Sequence, residues 1–172
     1  MQPGTRNALV TRNLAGRIAV SDDGNVLVFV SGQPGLVPTL ATGYGVFRLD
    51  RARAELRHLS ARSSGNHDAS KSISMTADAR LVAFTQHSIR SAVYADVYVY
   101  DAVANTLSLA STDETGTLGN GSSTAPYLTP NGETLVFTST STNWNSTPRI
   151  AGDLDVFVKR LGEQPLLRDR FE

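Results

Sequence analysis

Two short apolar runs meeting at a tight polar turn form a phrase that this chain repeats. Its clearest copy is Ala125-Pro126-Tyr127-Leu128-Thr129-Pro130-Asn131-Gly132-Glu133-Thr134-Leu135-Val136-Phe137-Thr138-Ser139. Asn-Gly between apolar runs is a strong hairpin signal, because both residues accept the left-handed backbone that such a turn needs. The phrase recurs as Ile18 to Ser31 around Asp23-Gly24, and as Ile73 to Thr85 around Asp78-Ala79. Ser21, Thr76 and Thr129 stand at equivalent places, a period of about 54 residues that points to an array or a propeller. A second phrase follows each hairpin: Gly45 to Asp50, Asp96 to Asp101 and Asp155 to Arg160. Leu56-Arg57-His58-Leu59-Ser60, Leu107-Ser108-Leu109-Ala110-Ser111 and the shorter Leu166-Leu167 come next.

Each unit thus reads as four short strands, a to d, and four antiparallel strands per repeat make a propeller blade. The expected architecture is all-β, with three four-stranded antiparallel blades forming a partial propeller or half of a six-blade ring. Blade one spans about 18–60, blade two about 73–111 and blade three about 125–168. Val28, Phe29, Val82, Phe84, Val97, Val99, Val136, Phe137 and Val156 are expected between stacked blades. No stretch has a helical period with caps at both ends.

The pairing of a Ser/Thr-x-Asp/Asn-Gly hairpin with a later Asp-Val-Phe/Tyr-Val resembles the WD40-like repeats of TolB-type bacterial propellers. The run Thr138-Ser139-Thr140-Ser141-Thr142-Asn143 followed by Asp155-Val156-Phe157-Val158 is similar to the long form found in exported bacterial propellers. The likeness covers about residues 18–168. It implies periplasmic or secreted work as an interaction module. The motif residues build the blade and catalyse nothing.

Loop lengths sort into two classes. The a–b and c–d turns are tight, while the b–c loops and d–a links are long, so one end of the molecule is trimmed and the other elaborated. Long loops on a rigid scaffold are where binding residues usually sit. Candidates on that end are Asn66, His67 and Asp68, His87, and Asn143-Trp144-Asn145, which carries the only tryptophan. A tryptophan at a loop tip suits sugar or protein contact; packing onto the blade edge is the rival role. Asp153 and Asp155 could offer oxygen ligands to calcium, although their place at a strand start fits a turn role as well. His58, in an outer strand with no candidate partner, reads as structural.

Composition narrows the partners. Sixteen basic and sixteen acidic residues cancel, which gives no electrostatic reason to expect nucleic acid or an anionic membrane. No apolar window reaches the 18 or so residues of a membrane-spanning helix, and Met1 to Arg6 show no apolar signal segment. Zero cysteines exclude disulfides and thiolate metal sites. Serines lack a Gly-x-Ser-x-Gly elbow. The reading is a non-catalytic protein- or glycan-binding module without a cofactor. The alternatives are an enzyme or enzyme-associated propeller (a peptidase gate or a metal-dependent polysaccharide lyase) and a remnant of a longer propeller. Three blades also invite a homodimer that closes a six-blade ring, with Leu9-Val10 adding to the partner's third blade.

Overall fold

A computed structural model describes residues 18–36, 44–60, 72–87, 94–144, 152–162 and the backbone of 167–168. Every regular element among them is a β-strand. The first sheet is a meander of β1 (Ala19–Val20), β2 (Val26–Ser31), β3 (Gly45–Asp50) and β4 (Glu55–His58). The second orders β5 (Ile73–Met75), β6 (Leu81–His87), β7 (Ala95–Asp101) and β8 (Thr106–Leu109), with β12 (Leu167–Arg168) added outside β8. The third contains β9 (Ser123–Leu128), β10 (Thr134–Ser139) and β11 (Asp155–Arg160). The expected strands are present to within about two residues at most ends, as hydrogen-bond assignments generally vary. Leu9-Val10 lies outside the described residues.

One strand is placed differently from the sequence expectation. The repeat assigns Leu166-Leu167 to strand d of blade three, yet Leu167 pairs with Leu109 and Arg168 with Ser108, on the outer edge of blade two. The sequence supplies the reason. Outer strands of blades one and two read Leu-x-His-Leu-Ser and Leu-x-Leu-Ala-Ser, whereas 166–170 reads Leu-Leu-Arg-Asp-Arg. That segment would set Arg168 where His58 and Leu109 lie against an aromatic ring, and it has no closing serine.

The a–b turns are built alike. Ser21, Thr76 and Thr129 each offer a hydroxyl to the amide five residues on, at 2.9, 3.0 and 3.0 Å, and donate to the turn Asp or Asn. Gly24, Ala79 and Gly132 take φ of 69°, 58° and 74° there, the left-handed conformation that favours glycine. Ser21's hydroxyl, with the Asn25 amide and side chain, pulls the Asp23 carboxyl down to about 2. Adjacent turns are tied across blades: the Asp22 amide donates to Ala77 O at 3.2 Å, and the Ala77 amide to Pro130 O at 3.1 Å.

The core consists of two seams between blades. Val28, Val30 and Val46 of blade one meet Val82, Phe84, Tyr98 and Tyr100 of blade two. Ala83, Val97 and Val99, on the other face of blade two, meet Leu128, Leu135 and Phe137 of blade three. In each blade an aromatic pair is in register on the two middle strands: Phe29 with Phe47, Phe84 with Tyr98, and Phe137 with Phe157. Their rings stack at 5.7, 6.3 and 5.7 Å. Each seam therefore sets one blade's aromatic pair on the aliphatic face of the blade before it.

The two end faces differ. Phe29 and Phe47 are only 4% and 0% exposed, with Leu36, Leu49 and Leu56 packed against them. The opposite face of blade three is open: Val156 is 67% and Val158 68% exposed, Tyr127 is 59% exposed, and Val136 is half-buried. Three of the nine expected core residues thus lie outside the seams: Phe29, buried on the first end face, and Val136 and Val156, on whose face no blade among the described residues packs. In a head-to-tail ring of two copies, blade three's open face would meet the blade-one face on which Leu36, Leu49 and Leu56 pack.

His58, unpartnered on the sequence reading, has two neighbours. Its ring stacks on Phe47 at 5.1 Å and its Nε2 lies 2.7 Å from Ser60 Oγ. Burial holds its pKa below the usual imidazole value.

Two predictions follow from these placements. Phe137→Ala should cost about 3–5 kcal/mol by denaturant midpoint, and Val158→Ala should stay within about 0.5 kcal/mol; similar losses for the two would overturn the seam assignment. For His58 the unfolded chain takes up its proton near pH 6.5 and the folded chain only at lower pH. Stability is therefore complete above that value and falls as pH drops through it. His58→Leu, copying Leu109 of blade two, should flatten that slope between pH 7 and pH 5 in thermal melts, and an unchanged slope would exclude the histidine as its source.

Candidate functional site

Of the candidate residues, His87, Asn143 and Trp144 are described; Asn66, His67, Asp68 and Asn145 lie outside the described residues. His87 closes β6 and is half-buried. Asn143 and Trp144 sit together where the loop after β10 meets the link that precedes β9.

That meeting is built from small polar side chains. Asn143 Oδ1 accepts from the Asn120 amide at 3.0 Å, and its Nδ2 donates to Leu118 O at 2.8 Å. Asn120 answers through Thr142, donating from Nδ2 to Oγ1 at 3.0 Å and accepting from the Thr142 amide at 2.8 Å. Beneath them Ser123, Ser139 and Ser141 form a buried chain of hydroxyls at 2.9 and 3.0 Å. The abundance of Ser, Thr and Asn thus satisfies backbone groups that two adjoining loops would otherwise leave unpaired.

Trp144 is half-buried and packs onto the third blade. Its Nε1 donates to Thr117 O at 3.0 Å. Its ring meets Phe137 and Phe157 edge-on, at 6.2 and 5.0 Å. Gly119 makes room for it, since a Cβ there would lie 2.6 Å from the indole. A loop-tip reading leaves Trp144 independent of the fold; the structure instead ties it to the third blade's aromatic pair.

Beside that cluster lies a cavity of about 580 Å³, lined by Thr112, Asp113, Trp144, Phe157, Lys159 and Arg160, among others. Phe157 is half-buried, although its counterparts Phe47 and Tyr98 are 0% and 4% exposed. Lys159 occupies the place of Leu49 and Tyr100. Its Nζ donates to Thr112 Oγ1 at 2.5 Å and to Ala110 O at 3.2 Å, across the seam to the link after β8. Burial lowers its pKa, opposed by the charge of Asp113. Burial would raise the Asp113 carboxyl, but hydrogen bonds from Thr115 and Thr117 outweigh it and hold it below the usual range. Sequence reasoning missed Phe157, Lys159 and Asp113 as site residues. The one signal for them was a lysine where the other blades keep an apolar or aromatic residue.

Among the described residues no group of three or more His, Asp or Glu is placed to hold a metal ion. Asp153 is exposed and Asp155 opens β11, with no such cluster about them.

No family model matches the chain, and no curated protein matches it either. Solved structures do. TolB from Acinetobacter baumannii superposes with a TM-score of 0.54 at 14% identity, over 91% of this chain and 32% of that one. A putative TolB from Agrobacterium tumefaciens gives 0.55 at 16% identity, over 92% of this chain and 50% of that one. The tricorn protease gives 0.55 at 15% identity, over 87% of this chain and 14% of that one. This chain therefore spans half or less of the length of each.

The site's own chemistry yields a prediction. Asn143→Ala should cost about 1 kcal/mol and speed hydrogen exchange at the Asn120 amide, and unchanged exchange there would show that the side chain does not hold the link. Three blades in one repeating register among the described residues, two seams of one design and these superpositions establish the fold: the chain has a β-propeller fold like that of the TolB structures.

Proposed function

We propose that this chain is a non-catalytic binding module that takes a protein or glycan partner on its long-loop end, in the cavity beside Trp144. The observation that carries the reading is that cavity, where two aromatic rings stand edge to face with Lys159, Arg160 and Asp113 around them. Aromatic walls with a few placed polar groups suit recognition of an amphipathic ligand. At about 580 Å³ the cavity falls within the usual range for ligand sites. The trimmed end offers a smaller groove of about 340 Å³ around Asp78, Arg80 and Asp101, whose charged groups are engaged with each other: Arg80 donates to Asp101 Oδ2 at 3.0 Å. A periplasmic or secreted location belongs to the same proposal, and fractionation of the native host tests it.

The binding test uses a displayed random-hexapeptide library and a panel of oligosaccharides as probes, with backbone amide shifts to map what binds. A binder should move the signals of 112–115, the Trp144 indole and 157–160, and leave those around Gly24 and Gly132 unmoved. Contacts mapped to those turns would overturn the assignment, and so would the absence of any binder from both probe sets.

A further inference from the structure

The outer edge of β11 is a strand position that the other two blades fill and that blade three leaves vacant among the described residues. In blade one β3 pairs with β4 from Phe47↔His58 to Asp50↔Glu55. In blade two β7 pairs with β8 from Tyr98↔Leu109 to Asp101↔Thr106. Among the described strands β11 pairs with β10 alone. The segment expected to cover it is joined to β8 instead.

The two filled positions show what the vacant one would accept. The Leu59 amide donates to Val46 O, and the Ala110 amide to Val97 O, each at 2.8 Å. The amides of Val46 and Val97 donate in turn to Ser60 Oγ and Ser111 Oγ, at 3.2 and 3.1 Å. A serine thus closes each outer strand, and alternate apolar residues of that strand lie beside the blade's aromatic residue. Val156 stands where Val46 and Val97 stand, and Phe157 where Phe47 and Tyr98 stand. The half-burial of Phe157 and the cavity at its side mark the room that an outer strand would take.

We infer that β11 binds an extended segment of a partner protein by strand addition. The segment runs antiparallel to β11, carries apolar residues two apart that face Phe157 and Lys159, and ends in a serine that receives the Val156 amide. Main-chain pairing supplies affinity in such complexes and alternate side-chain pockets supply specificity, while an unpaired edge is a ready template for it. The inference rests on the binding reading above and narrows its partner to a polypeptide. Continuity with β3–β4 and β7–β8 sets the register.

The test uses a synthetic peptide copying Thr106 to Ser111, read by emission of Trp144, the only tryptophan. Two N-methylated forms separate the ladder from mere greasiness. Methyl groups on the amides copied from Ser108 and Ala110 block the hydrogen bonds toward β11. Methyl groups on the two leucine amides point away from it. The plain and leucine-methylated peptides should give a saturable shift in emission, and the Ser/Ala-methylated one should bind at least about tenfold more weakly, the loss of roughly one net hydrogen bond. No saturable shift up to millimolar peptide would overturn strand addition, and so would equal binding of both methylated forms. Equal binding would leave the binding module standing and remove only its mode. Light scattering supplies the last arm: a dimer that excludes the peptide would assign the edge to a second copy and overturn the partner assignment.

Discussion

The structure depends on one contact used twice: an in-register aromatic pair on one blade set against the aliphatic face of the blade before it. Each sheet is a few strands wide and cannot bury two apolar faces alone, so stability has to come from the stack. The pair suits this role because stacked rings fill the width of a sheet in few residues. The receiving face is correspondingly small, with Ala83, Val97 and Val99 under Phe137, and Val28, Val30 and Val46 under Phe84 and Tyr98. Hydrogen bonds between neighbouring a–b turns fix the angle at which the blades fan.

The ends of the stack carry the departures from the repeat. Among the described residues no blade stands in front of blade one's aromatic pair, yet Leu36, Leu49 and Leu56 pack against it. Blade three's aliphatic face stays open, and the same blade has no outer strand on β11 among the described residues. Lys159 replaces an apolar residue in this irregular corner, and its ammonium reaches back to Thr112 and Ala110. That bridge does for blade three part of what an outer strand does elsewhere: it holds β11 to the link after β8. The aromatic cavity lies where the other blades carry an outer strand, so the candidate site and the break in the repeat among the described residues are one feature.

Trp144 shows how a loop becomes part of the scaffold without regular structure. Asn120, Thr142 and Asn143 exchange hydrogen bonds between two loops, a serine chain runs beneath, and the indole closes over Phe137 and Phe157. Residues that composition marks as merely polar therefore position an aromatic wall. A partner taken there would meet a preformed surface, which lowers the ordering cost of binding.

Periodicity alone made the strands, the turns, the three-blade plan and most of the core legible. Val82, Phe84, Val97 and Phe137 are buried because alternation and spacing already assign each to a face. Three matters needed the tertiary structure. Which blades have neighbours decided that Val156 and Val136 stay outside the seams, although their positions in the repeat match the buried Val97 and Ala83. Competition between two sheet edges decided that Leu167 pairs on β8, since a two-residue strand with an arginine in its apolar row has no local preference strong enough to choose. Contacts between loops distant in sequence decided that Trp144 and Lys159 border one cavity. A local pattern states which face a residue prefers; what packs on that face is set by elements far along the chain, and it is known only once they are placed.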